Sequence, residues 1–291
     1  MLRGLYTAAS GMIAQQRRHD MITNNIANLN TPGFKSGNTV NRTFPEMLIY
    51  AMGGQNPSDT SVGRLNTGVF AEEALLSMAQ GDLQETYRDQ DLALVSDILV
   101  NGITFDASGK YVDANGEVTY KPQAYFAVSN PNDPNAQERY TRDGSFKTAP
   151  DGTLITSDGH EVLGANGQPI VVNVPWDEVS VASDGRLLYE NTGLPLAGNP
   201  QLRIMRVDNP HLMIRQGDGR FAYAGEANGI RQINANDRVE VRQGFLERSN
   251  VDAAQASIDL MAAFRAYEAN QKVIQAYDRT LDKAVNEIGR V

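Results

Sequence analysis

The chain has 291 residues, 41% hydrophobic and 21% charged, enough for one large domain or two modest ones. Its net charge is −9, with +2 on residues 1–30, −1 on residues 251–291 and therefore −10 between them, and such an acidic body argues against nucleic acid or anionic lipid as a partner. The absence of cysteine excludes disulfides and thiolate metal sites, and with no run of 18 apolar residues and no signal-peptide pattern, composition alone places the chain in the cytoplasm without membrane insertion.

The first predicted element is a helix from Leu2 to Ile26, in which Leu2, Leu5, Ala9, Met12 and Ile26 alternate at steps of three and four with Gln16, His19 and Thr23 in the same seam. Asn30, Thr31, Pro32 and Gly33 end it. Its last turns carry Asn24, Asn25 and Asn28, each a poor helix former, with a summed penalty near about 2 kcal/mol. Such a helix is expected to be frayed over residues 1–30 in a free monomer, with something outside it compensating. Residues 51–66 read as a polar linker or mobile loop.

Between the termini, five Asp-Gly and four Asn-Gly pairs punctuate short β-prone runs at 124–128, 169–174, 201–207 and 238–244. An antiparallel β body follows from this pattern. A last helix is expected from about 251 to 289, capped through Ser249 and Asp252 or by Asn250. Leu260, Tyr267, Ile274, Leu281 and Ile288 recur every seven residues along it, flanked by Ala256, Ala263, Asn270, Tyr277 and Ala284. The fold class is thus α+β: long N- and C-terminal helices forming a coiled-coil-like domain, with an inserted antiparallel all-β domain. The expected boundaries are 1–69 (helix and linker), 70–243 (β domain) and 244–291 (C-terminal helix).

No constellation for catalysis emerges. His19, His160 and His211 lie in separate segments without ligand spacing, and there is no phosphate loop, dinucleotide fingerprint or GxSxG elbow. The stretch from Asp113 to Tyr120 places glycine at the wrong position for a calcium loop and reads as a turn. The Asp-Gly carboxylates are explained by turns before glycoside hydrolysis need be invoked. No catalytic, cofactor-binding or metal residue is expected, and no cofactor. The heptad rows are the one non-generic feature. They suit either a self-contained helical hairpin or an interface with other subunits, and the polar seam favours the second.

The stretches "LYTAASGMIAQQRRHDMITNNIANLNTPGFK" (5–35) and "VRQGFLERSNVD…RAYEANQKVIQAYDRTLDKA" (241–284) closely resemble the paired terminal signatures of bacterial flagellar rod and hook proteins. "AQGDLQETYRDQDLAL" (79–94) and "YTRDGSFKTAPDGTL" (140–154) are similar to that family's β-domain entry and hairpin. Length favours rod over hook, and "FPEML" (44–48) and the C-terminus look like a distal-rod type of Firmicute bacteria. Residues 96–122 depart from the family pattern, and their Gly-containing pairs suggest a hairpin laid on the β body whose deletion (97–121) leaves a folded protein. Ala253, Ala254, Gln255 and Ala256 stand where the family tends to be acidic.

The resemblance implies a non-enzymatic subunit of the flagellar basal body, exported without a cleaved signal through the flagellar type III apparatus and polymerising outside the cytoplasmic membrane. Its implied partners are copies of itself, other rod and hook proteins and the export apparatus, with no nucleic acid. The implied assembly contacts are Leu5, Met12, Gln16, Asn24, Asn25, Ile26, Asn28, Leu260, Phe264, Tyr267, Asn270, Ile274, Leu281 and Ile288, the asparagine amides pairing with neighbouring subunits. A secreted β-rich, adhesin-like module oligomerised by a coiled coil is the alternative of a different class, and an enzyme acting on cell-wall glycan a third.

Overall fold

The computed structural model describes residues 2–45, 47–50, 61–65, 68–72, 75–100, 102–106, 109–131, 138–234 and 236–288, with the backbone alone for 2–3, 47–50, 61–65 and 287–288. The fold is α+β, with the terminal helices packed on each other and an antiparallel β-rich region between them in sequence. The chain divides into two compact units: 1–27, 37–77 and 251–291 form the helical unit, and 28–36 with 78–250 form the β unit.

In the helical unit, α1 (Leu2–Ala27) runs antiparallel to α2 (Ala253–Lys283). The facing pairs Gly4–Tyr277 and Gly11–Asn270 fix this register, since each residue toward the C-terminus of α1 meets one nearer the start of α2. Glycine within a helix costs about 1 kcal/mol relative to alanine. Here a Cβ on Gly4 would overlap the Tyr277 ring, and one on Gly11 would lie 3.1 Å from the Asn270 amide. The glycines let the helices approach.

The buried line of α1 is therefore one residue out of step with the expected seam. Ala8, Ala14, Ile22 and Asn25 are buried, while Leu5, Ala9 and Met12 are half-buried and Gln16 and Thr23 exposed. Asp252, not Ser249 or Asn250, caps α2, accepting hydrogen bonds from the N–H groups of Ala254 (2.8 Å) and Gln255 (3.1 Å). A π-helical turn, Ala284–Ile288, follows.

The expected linker at 51–66 is corrected in part. Strands Met47–Tyr50 and Ser61–Leu65 pair antiparallel, continuing a ribbon begun by Gly37–Asn38 with Leu75–Leu76 and Asn41–Thr43 with Val69–Ala71. Residues 51–60 and 66 lie outside the described residues.

The β unit is centred on strand Gln123–Ser129, whose first six residues are buried. Such continuous burial requires cover on both faces, which explains the unbroken apolar run "AYFAV". Among the described residues it belongs to a nine-stranded antiparallel sheet, flanked by Arg139–Thr141, Glu161–Val162 and Ile204–Val207. Separate ladders join Val239–Gln243 to Leu92–Ser96 and Phe245–Glu247 to Leu83–Glu85. The core gathers Leu92, Leu94, Phe126, Phe146, Leu187 and Ile204, among others.

Two expectations change. Residues 169–174 form only isolated bridges, Thr153 to Val171 and Leu163 to Pro169, although Ile170 and Val172 are buried. The 96–122 segment does contain a hairpin, Lys110–Val112 paired with Val118–Tyr120 and closed by Asp113, whose carboxylate accepts the N–H groups of Asn115 and Glu117. However, Ile98 is fully buried in the core, so a deletion of 97–121 removes a core side chain and is expected to cost stability.

Candidate assembly interface

The two heptad rows of α2 turn toward α1 of the same chain. Ala256 and Ala263 are buried with Ile22, and Ile26, Val251 and Leu260 pack around them. Tyr267, Asn270, Ile274 and Leu281 are half-buried on that same face. This cluster is small beside the core of the β unit. Helices of this length gain most of their stability from tertiary packing of one face, so the pair is weakly held unless more surface is covered.

The surface still open is apolar. Tyr6 and Ile13, seven residues apart on α1, are 66% and 56% exposed, and on α2 Ile258, Met261 and Phe264 are each more than half exposed. A groove of about 260 Å³ separates the helices at Gln15, Gln16, His19, Asp20, Ala263, Phe264 and Tyr267.

Two of the three asparagines make hydrogen bonds within the chain. Asn25 is buried and binds both backbone groups of Gly37: its Nδ2 donates to the carbonyl (2.8 Å) and its Oδ1 accepts from the N–H (3.0 Å). Its amide therefore serves the chain's own turn into the ribbon. Asn28 accepts a hydrogen bond from the Thr31 hydroxyl at 3.2 Å, closing the exit of the helix. Asn24 is exposed. The compensation sought for this Asn-rich end is thus found largely inside the chain: one buried bidentate contact and one local cap. Of the remaining expected contacts, Gln16 and Phe264 face outward, Leu5, Met12 and Ile26 are half-buried, and the side chain of Ile288 lies outside the described residues.

Sequence reasoning missed a charged clamp in the β unit. Glu247, from strand Phe245–Glu247, sits between Lys35 (2.6 Å) and Arg142 (2.6 Å), and all three side chains are fully buried. Lys35 also donates to the Ala79 carbonyl, Arg142 to those of Ala124 and Leu94, and the Gly81 N–H to Glu247 Oε1. Every charge thereby has a partner, the condition for tolerating burial. Asn250 extends the clamp: its Oδ1 accepts the Ser36 N–H and its Nδ2 donates to the Ala79 carbonyl. The three stretches 34–36, 79–81 and 247–250 are thus bound together at the places where the chain enters and leaves the β unit.

Gly33 is part of this arrangement. Its φ is +67°, its N–H donates to the Glu247 carbonyl, and a Cβ would meet the Arg142 carbonyl carbon at 2.5 Å. The signal was present only as single letters, the Lys after "TPGF", the Arg of "YTRDG" and the Glu of "GFLE".

Burial by itself pushes the Glu247 carboxyl up, but the Arg142 and Lys35 charges outweigh it and hold the group below its ordinary 4.5. The unfolded chain therefore takes up this proton first as pH falls. The stabilisation is complete above about pH 4.5 and is lost as pH drops through the lower folded value. Acid melting curves are expected to fall more gently for Glu247→Gln than for the parent across this window. Burial also lowers Lys35 to about 8, so between pH 8 and 10.5 its titration favours the folded state.

A pair of terminal helices packed on each other, with large apolar side chains left exposed, presents the surface of an assembly subunit. Residues 5–35 match the family described as flagella basal body rod protein, 121–189 the flagellar hook protein FlgE/F/G D1 domain, and 242–287 the flagellar basal body rod FlgEFG protein C-terminal family. The chain is 34% identical over 295 residues to the flagellar hook-basal body complex protein FlhO of Bacillus subtilis (strain 168), covering 100% of both chains. It is 31% identical to the flagellar basal-body rod protein FlgG of Borreliella burgdorferi, over 98% of each chain, and 28% identical to FlgG of Bacillus subtilis, over 98% of this chain and 99% of that one. The chain belongs to the flagellar basal-body rod family, a family of non-enzymatic structural rod subunits. Among the described residues no helix is long and apolar enough to cross a membrane.

Proposed function

We propose that this rod subunit polymerises into a helical axial assembly through the outward faces of α1 and α2, and that the assembly carries torque towards the hook. Its neighbours are copies of itself and other rod and hook proteins, reached after export through the flagellar type III apparatus. The observation that carries the reading is the set of exposed apolar side chains on the two helices, Ile258, Met261 and Phe264 on α2 and Tyr6 and Ile13 on α1. A small internal core and an exposed apolar stripe are what a helix pair completed by neighbours presents. Heterologous contacts whose rotation does not close generate a filament, the arrangement this reading requires.

The α2 rows Leu260, Tyr267, Asn270, Ile274 and Leu281 act one step back, by holding α1 so that the outward faces of both helices are presented together. In this reading the clamp at Lys35, Arg142 and Glu247 stiffens the β unit where the chain enters and leaves it.

Met261→Asp tests the stripe. Met261 is 54% exposed, so the free monomer is expected to melt as the parent does. A carboxylate brought into an apolar contact costs several kcal/mol. Cells producing Met261→Asp are expected to lose hooks and motility; normal hooks would overturn the proposed contact.

A further inference from the structure

Tyr87 combines three features that seldom meet. It is 84% exposed, it is not glycine, and it holds φ at +55°, a left-handed conformation that costs a bulky residue free energy. It lies in the loop 86–91, which faces the single residue Gly244 between the two short ladders of the β unit.

The loop is held firmly. Thr86 donates its N–H to the Gly244 carbonyl (2.8 Å), the Gly244 N–H donates to the Asp91 carbonyl (2.8 Å), and Asp91 donates to the Arg88 carbonyl (3.0 Å). Gln243 Nε2 reaches the Asp89 carbonyl at 2.9 Å, while its Oε1 accepts the Val181 N–H. A backbone held in this way presents the aromatic side chain from a fixed point, so the loop itself has little freedom to lose on binding.

The helical unit offers a matching receptor. Its groove of about 260 Å³ is smaller than ordinary small-molecule sites yet has Phe264 and Tyr267 as aromatic walls. One lining residue, Gln15, has a side-chain oxygen that is buried and, among the described residues, has no hydrogen-bond donor. An unpartnered buried acceptor is costly, and a phenol supplies the missing O–H once the amide turns toward it.

We infer that Tyr87 is an assembly anchor whose ring enters the groove between α1 and α2 of a second copy of this chain, its hydroxyl donating to Gln15. The inference rests on the assembly reading above and adds to it a specific contact.

The cysteine-free sequence makes the test clean. Arg88→Cys and Gln16→Cys copies, both at exposed positions and both leaving Tyr87 in place, are produced together, and isolated basal bodies are treated with a short bismaleimide. A cross-linked dimer is expected only when both variants are present. Basal bodies containing both variants but no dimer would overturn the contact.

Two further variants separate anchoring from folding. Tyr87→Gly is expected to melt close to the parent, because glycine accepts the positive φ, yet to reduce the number of hooks per cell several-fold, with Tyr87→Phe intermediate. Parent-like hook numbers in Tyr87→Gly would overturn the anchor. Parent-like hooks in Met261→Asp would instead overturn the assembly reading on which it rests.

Discussion

Glu247→Ala is expected to destabilise the β unit by about 3 to 5 kcal/mol, the usual cost of removing one partner from a buried ion pair. The change strands two fully buried cations, Lys35 and Arg142, in a space from which water is excluded. Their carbonyl partners on Ala79, Ala124 and Leu94 remain, which keeps the loss from growing further. In a unit of this size each kcal/mol lowers the melting temperature by about 2–4 °C, so a drop on the order of 10 °C is expected by calorimetry. Lys35→Met should be milder, since the Arg142–Glu247 pair survives and the lysine already resists its charge. Equal losses in the two variants would show that the clamp is not centred on Glu247.

The second large effect concerns Ile274→Asp. Ile274 is half-buried on the face of α2 that meets α1, in the row containing Tyr267 and Leu281. Burying such a side chain contributes roughly 1.5 to 3 kcal/mol, and a carboxylate in its place costs several more. The helical unit has few other buried apolar side chains to offset that. Helical circular dichroism of the monomer is therefore expected to fall, and rods should not form. The β unit has its own core and should keep its melting temperature. Unchanged helicity with normal motility would show that the rows do not hold the helices together.

Both variants expose what could be read from the sequence. The helices announced themselves by periodicity, and the central strand by its unbroken apolar run, because burial on one face or two leaves those patterns directly. Most of the Asp-Gly and Asn-Gly pairs likewise marked turns that need positive φ, which Gly102, Gly116, Gly152, Gly159, Gly167, Gly185 and Gly219 hold, whereas Gly144 and Gly229 do not. The phase of α1 was harder to read. Its contact line includes Gly4 and Gly11, which carry no hydrophobic signal yet govern how near α2 can come.

The ribbon from Gly37 to Leu76 was hidden because its strand Asn41–Thr43 is polar and exposed on both faces, so no alternation marks it. The run 169–174 erred in the opposite direction: it has strand composition, but its partners offer only bridges. The clamp was invisible for a different reason. Lys35, Arg142 and Glu247 are charged, and single charged residues are ordinarily surface residues. Only their meeting, across more than 200 residues from Lys35 to Glu247, gives them meaning.

The helical rows show how function and packing overlap. A seven-residue repeat can seal a helix against its own chain or against another, and periodicity does not say which. Here the repeat is used internally, and the external surface is the less regular stripe of Ile258, Met261 and Phe264. That distinction is the centre of the assembly account.

The measurement that addresses it most directly places a photo-activated cross-linking amino acid at position 258, where Ile258 is 56% exposed. Irradiated basal bodies, isolated with the subunit in place, are expected to yield an adduct between this chain and another rod subunit, identified by mass spectrometry. The subunit recovered from irradiated basal bodies with no adduct to another chain, while the same probe at a β-unit surface position does form one, would contradict assembly through the outer face of the helices.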